Sequence, residues 1–147
     1  CSYTILRLSY PYRAHYDLKP DLIKKILTGL KDNTLTPQFS DTIITPTFVD
    51  DLARAFDKCI TLRPQGIYHT VGSTALSPYA LAQKVALTYD LDPNLVKEGN
   101  LTQYLKENDR PFARSVSMSN NKATGTLGLN FATIDEGLTE IKKQQNL

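Results

Sequence analysis

The stretch Asp41–Ile60, DTIITPTFVDDLARAFDKCI, constrains the fold more than any other part of this 147-residue chain. Thr42-Ile43-Ile44-Thr45 is a β-branched run, and such side chains fit a pleated, half-buried surface. Pro46 has no N–H to donate and is expected to stop the ladder. Thr47 stands where a helix N-cap belongs, with Asp50 three residues later as an approximate capping box. Val49, Leu52, Ala53, Phe56 and Ile60 recur at i, i+3, i+4, i+7 and i+11, which is one face of a helix. A strand thus turns abruptly into an amphipathic helix, and the unit anchors a core.

The flanking segments repeat this alternation of strand and helix. Tyr3–Leu8 reads as a strand buried on both faces, and Gly66–Val71 as a second, with His69 on the same side as Ile67 and Val71. Pro20 and Asp21 open a helix whose stripe is Leu22, Ile23, Ile26, Leu27 and Leu30, with Gly29 near its C-terminal cap. Asp32–Phe39 reads as a turn and short strand, with Pro37 and Gln38 turning toward a cleft. Ser77-Pro78 is an N-cap followed by proline at the first helical position, and the helix runs to Tyr89. Leu95-Val96 reads as a short strand and Leu101–Lys106 as a short helix capped by Asn100. Ser119 is expected to cap a helix closing at Thr124-Gly125. Thr133 with Glu136 is a capping box opening a helix over Ile134–Lys143. The order predicts a single α/β domain spanning residues 1–147.

Composition narrows the function. A net charge of +2, from 17 basic and 15 acidic residues spread along the chain, does not argue for a nucleic-acid partner. No apolar run approaches the roughly 20 residues of a membrane span, and no secretory signal is visible. Cys1 and Cys59 are too few for a disulfide framework, so a cytoplasmic setting is expected. His15 and His69 have no cysteine or acidic partners at metal-ligand spacing. Because strand-like residues begin at Tyr3, the chain reads as part of something larger.

Two chemical signatures are missing. The seven glycines, at 29, 66, 72, 99, 125, 128 and 137, nowhere have the spacing of a dinucleotide-binding turn. None of the eight tyrosines has lysine four residues later; Tyr79 comes nearest, with Gln83 at the fourth position and Lys84 at the fifth.

Three blocks carry a family resemblance. Pro46-Thr47-Phe48-Val49-Asp50-Asp51-Leu52-Ala53 resembles a segment of the extended short-chain dehydrogenase/reductases, in their dTDP-4-dehydrorhamnose reductase-like branch. Ile5-Leu6-Arg7-Leu8-Ser9-Tyr10 matches the same branch, as do Arg110-Pro111 with Ser115, Ser117, Lys122, Leu127-Gly128 and Gly137-Leu138. The resemblance runs over almost the whole chain but only onto the C-terminal part of that family. It implies the C-terminal portion of a Rossmann-like fold, with mixed sheet strands and flanking helices, serving to bind a sugar nucleotide.

The resemblance also implies roles for particular residues. Ser9 and Tyr10 fall beside the nicotinamide and the sugar, with Tyr10 in place of a more usual Trp and Arg13 where Gly is expected. Tyr12 lies in the same substrate loop, just past a strand's carboxyl end, where open α/β sheets bind ligands. Arg110 suits the substrate pyrophosphate, because a guanidinium fork matches phosphate, and Pro111 confines its backbone to extended forms. Its plain reading is a surface arginine paired with Glu107 or Asp109. In the family a Tyr with Lys four residues on, and an NAD(P)H site, lie upstream of the part matched here. The chain alone is therefore expected to bind no cofactor and to be inactive. Its partners would be a nucleotide-sugar substrate and either the missing N-terminal half or a second copy, through an exposed face. The alternative is a non-catalytic regulatory or scaffold protein that kept the fold.

Overall fold

The computed structural model describes residues 2–15, 18–109 and 112–146. Strand β1 (Thr4–Arg7) leads to β2 (Pro11–Tyr12), helix α1 (Leu22–Lys31), β3 (Gln38–Phe39) and β4 (Thr47–Phe48). Helix α2 (Val49–Leu62), β5 (Gly66–His69), α3 (Pro78–Thr88) and a 3-10 turn at Pro93–Leu95 follow. Then come β6 (Glu98–Gly99), α4 (Leu101–Glu107), α5 (Asn121–Leu127) and α6 (Ile134–Gln144). β1 pairs with β5, β2 with β4 and β3 with β6, all in parallel. Parallel neighbours need long crossovers, so the short strands are joined through helices, as an α/β chain requires.

Four helix starts follow from the sequence chemistry. Asp21 accepts from the Lys24 N–H, Ser77 from Ala80 and Asn100 from Gln103, while Thr133 and Glu136 close a complete capping box. Other expectations need correction. Thr47 is not the N-cap of α2: it lies in β4, and Phe48 occupies the cap without a side-chain hydrogen bond. Pro46 does not end the pairing either, because β4 follows it at once and pairs with β2. Val96 leaves the 3-10 turn instead of forming a strand. α5 is capped by Asn120 rather than Ser119 and runs on to a left-handed Gly128. α1 passes Gly29 and ends at Lys31.

Two cores divide the buried side chains. In the first, Tyr12 and Phe48 stack with ring centroids 5.6 Å apart, surrounded by Ile23, Ile26 and Leu30 of α1, Leu81 and Val85 of α3, and Leu138 and Ile141 of α6. In the second, Ala55 of α2, Tyr68 of β5 and Ala123 and Leu127 of α5 meet Phe131, with Leu6 of β1 packed alongside. Gly137 belongs to the first core: a Cβ there would strike the Tyr12 hydroxyl. Gly72 sits against the Pro46 carbonyl, which accepts its N–H at 3.1 Å and would obstruct any side chain.

The β1–β5 sheet is covered on one face only among the described residues. Leu6 and Tyr68, opposite each other in register, face the second core, whereas their neighbours Ile5 and Ile67 are 44% and 36% exposed. The expectation of a strand buried on both faces is thus corrected. The helical stripe read from the sequence behaves likewise. α2 buries Asp51 and Ala55, while Phe56 and Ile60 of the expected stripe are 52% and 76% exposed. Periodicity finds an apolar face, but only packing decides whether something covers it.

Replacing Gly137 by Ala should destabilise the protein by about 1–3 kcal/mol, because the added methyl overpacks a core against Tyr12. Urea unfolding measures this; unchanged stability would mean that the Tyr12 ring has room to move.

Candidate functional site

Chain geometry places the loop after β1 at the carboxyl end of a parallel strand, the position at which open α/β sheets bind ligands. The loop is held from below by Thr47. Its hydroxyl donates to the Ser9 carbonyl at 2.8 Å and accepts from the Ser9 N–H at 3.2 Å, and its own N–H donates to the Tyr10 carbonyl at 3.3 Å. Thr47 is fully buried. Tyr10 adopts a left-handed backbone, with φ of 44°. For a bulky residue such a conformation costs about 1–3 kcal/mol and persists only where the surroundings enforce it. Thr47 and the β2–β4 pairing enforce it here, and the Tyr10 side chain is turned outward, 39% exposed.

The segment after residue 112 supplies the opposite wall. Ile43 donates its N–H to the Arg114 carbonyl and accepts from Val116, so residues 114–116 run parallel to the chain at Ile43 in an isolated bridge. Thr45 donates to the Ser117 hydroxyl at 3.3 Å and accepts from the Met118 N–H at 3.2 Å. Ser9 and Tyr10 therefore face Val116, Ser117 and Met118 across a recess of about 420 Å³. Tyr10 is also a wall of a second recess, about 430 Å³, lined by Arg13, Lys19, Asp21 and Lys25. A third, about 400 Å³, shares Pro20, Leu22 and Lys25 with the second, and Thr36 and Gln38 with the next cavity.

That last cavity is the largest described, about 870 Å³. Phe39, Tyr104 and Phe112 meet edge to face at its wall, with centroids 5.5–6.2 Å apart. Gln38, Glu98, Asn100, Gln103 and Glu107 add hydrogen-bonding groups. Asp41, just past β3, accepts from the backbone N–H groups of Leu101 and Thr102 at 2.6 and 3.1 Å and from the Thr102 hydroxyl at 3.0 Å. The Leu101 bond is the main cause holding its pKa below the usual carboxylate value. The sign follows: a depressed pKa makes the interaction present above the ordinary Asp range and lost as pH falls below it.

The sequence-derived candidates fare differently. Ser9 and Tyr10 lie in one loop facing one recess. Tyr12 does not join them: it is 1% exposed, stacked on Phe48, and burial pushes its phenol pKa up, so its role is core packing. The strand β2 turns it inward. Arg110 lies outside the described residues, though Glu107 and Phe112, on either side of it, both line the largest cavity. Phe39, Tyr104 and Phe112 were not singled out from the sequence. They sit 65 and 8 positions apart, and no local period joins them. Among the described residues no His, Cys, Asp and Glu cluster could hold a metal ion. No described helix is long and apolar enough to cross a membrane.

The parallel pairs, the helices that join them and the loop at the end of β1 are those of a Rossmann-like fold. Residues 1–146 match the model of the RmlD substrate binding domain, and the chain belongs to that family. A curated relative, the probable low-salt glycan biosynthesis reductase Agl14 of Haloferax volcanii, is 23% identical over 141 residues, 94% of this chain and 46% of that protein. The dTDP-4-dehydrorhamnose reductase of Bacillus anthracis, solved in complex with NADP, superposes with a TM-score of 0.79 at 21% identity, covering 97% of this chain and 47% of that one. The UDP-glucose 4-epimerase of Thermotoga maritima, solved with UDP-glucose, superposes with a TM-score of 0.72 at 16% identity, covering 99% and 47%. The chain thus spans about half the length of the relatives it matches.

Thr47→Val keeps the shape but leaves the buried Ser9 N–H and carbonyl without their side-chain partner. The expected loss is about 1–3 kcal/mol, the cost of buried polar groups left unpaired. Thr47→Ser should retain most of the stability. Equal unfolding free energies for the two variants would contradict this account of the loop.

Proposed function

We propose that the chain is the substrate-binding part of an NAD(P)-dependent nucleotide-sugar oxidoreductase, of the dTDP-4-dehydrorhamnose reductase or epimerase kind. The observation that carries the reading is the Ser9–Tyr10 loop. It holds a non-glycine residue in left-handed backbone at the carboxyl end of a parallel strand, clamped by a buried threonine and facing a recess. Backbone strain enforced by its surroundings is common at ligand sites, which supports the reading. The sugar would lie at Ser9, Tyr10 and Ser117. The nucleotide would extend along the connected recesses toward the aromatic cavity, where rings can meet a flat base edge to face. Arg110, flanked by two residues of that cavity's wall, would take the diphosphate with a charged fork.

The cofactor does not fit this chain alone, which has no glycine-rich turn and no Tyr with Lys four residues later. In a complete enzyme a dinucleotide-binding half would bring the hydride donor, and Ser9 and Tyr10 would meet its nicotinamide end. That half would dock on the open side of β1 and β5. Tyr3 and Arg7 use their carbonyls toward β5, so by strand alternation the backbone groups of Thr4, Leu6 and Leu8 point to the other edge. Leu8, Ile5, Ile67 and, on α2, Phe56 and Ile60 offer the apolar surface such a contact buries.

The expected results are specific. Arg110→Ala should weaken sugar-nucleotide binding about ten- to a hundredfold, matching roughly 1.5–3 kcal/mol for a charge-assisted bond at about 1.4 kcal/mol per factor of ten. Arg110→Lys should recover part of it, and binding of the free sugar should hardly change. Equal effects on free and nucleotide-linked sugar would make Arg110 structural. Separately, calorimetry on the 147-residue chain should find no micromolar binding of NADH or NADPH. Such binding would mean that a cofactor site exists here after all.

A further inference from the structure

The walls of the aromatic cavity come from segments far apart in sequence, and one side chain joins them. One wall is β3, with Gln38 and Phe39; the other is α4, with Gln103, Tyr104 and Glu107. Helix α4 has seven residues, too few to hold its own conformation in water, where helices shorter than about 12–15 residues are marginal. Its shape and place therefore depend on tethers.

Tyr104 packs on Phe39 and Phe112, and the polar tethers are concentrated in the first turn. Asn100 caps the Gln103 N–H at 2.9 Å. The preceding two N–H groups, of Leu101 and Thr102, would be orphans of the helix start, and both point to the Asp41 carboxylate. The Thr102 hydroxyl donates to the same carboxylate and accepts from Arg114 at 3.1 Å, which ties in the segment leading to Ser115–Met118. A negative charge at this end also faces the positive end of the peptide dipoles. Asp41 itself lines none of the recesses described above. It lies two residues beyond Phe39, so its backbone moves with one wall while its side chain holds the other.

We propose that Asp41 is a positioning residue for nucleotide recognition: it latches α4 against β3 and so sets the spacing of Phe39 and Tyr104 that a nucleobase meets. This rests on the reading of the cavity as the nucleotide end of the site. The latch touches no ligand. Without it the α4 wall frays and the cavity loses a defined width, so base-containing ligands lose affinity while sugar contacts at Ser9 and Tyr10 persist.

The test uses dTDP and UDP as probes, with binding read by calorimetry and order in α4 read by amide hydrogen exchange. In Asp41→Ala the amides of residues 101–107 should exchange faster, and dTDP affinity should fall about tenfold, the size expected for losing one net charge-assisted bond. Asp41→Asn, which keeps an acceptor, should fall between the wild type and Asp41→Ala in both readouts. Exchange elsewhere, at α3 and α6, should be unchanged, showing that the fold is intact. Faster exchange in 101–107 with unaltered dTDP and UDP affinity overturns the inference, and so does unaltered exchange. A wild-type protein that binds neither probe overturns the nucleotide reading itself, and this inference falls with it.

Discussion

The molecule hangs on a crossing of chains at Pro46 and Thr47. Within six residues, four separate parts are joined. The Pro46 carbonyl takes the Gly72 N–H beyond β5, and Thr47 takes both backbone groups of Ser9 beyond β1. Phe48 stacks on Tyr12 at the centre of one core. Asp51, 3% exposed, accepts from Arg54 and from the Ala132 N–H at 2.6 Å, which docks the approach to α6. A buried carboxylate is tolerable only when it is paired in this way. The same short stretch therefore holds the sheet, the helical core and the C-terminal helix in one arrangement.

This economy explains why the site loop can be strained. Tyr10 bears a left-handed backbone that a glycine would accept freely, yet the residue after it enters β2 and the residue before it is bound to Thr47. The conformation is imposed from both sides. The gain is an exposed aromatic ring at the strand's carboxyl end, set between two recesses. A flexible glycine there would free the backbone and leave no ring.

The open face of the sheet follows from the same architecture. α2 and α5 cover the Leu6–Tyr68 side, and two parallel strands alone make a marginal sheet. Ile5, Ile67, Phe56 and Ile60 stay outside that core and exposed.

Much of this was legible in the residues alone. The caps of α1, α3, α4 and α6 follow from local chemistry, since a short polar side chain reaches its own helix's N–H groups. The β1 and β5 strands and the absence of a dinucleotide turn are likewise local facts, and so is the placing of Ser9 and Tyr10 after a strand. Tertiary structure decided the rest, because it turned on partners distant in the chain. Thr47 looks like a helix cap in sequence, but its hydroxyl bonds the Ser9 backbone, and Phe48 takes the cap position. Tyr12 reads from the sequence as part of a ligand loop, yet a two-residue pairing with β4 turns its ring into the core against Gly137. Phe39, Tyr104 and Phe112 share no period, and meet where Asp41, just past β3, accepts from the first amides of a seven-residue helix. Local patterns set what each segment becomes; long-range hydrogen bonds and packing set which faces it shows.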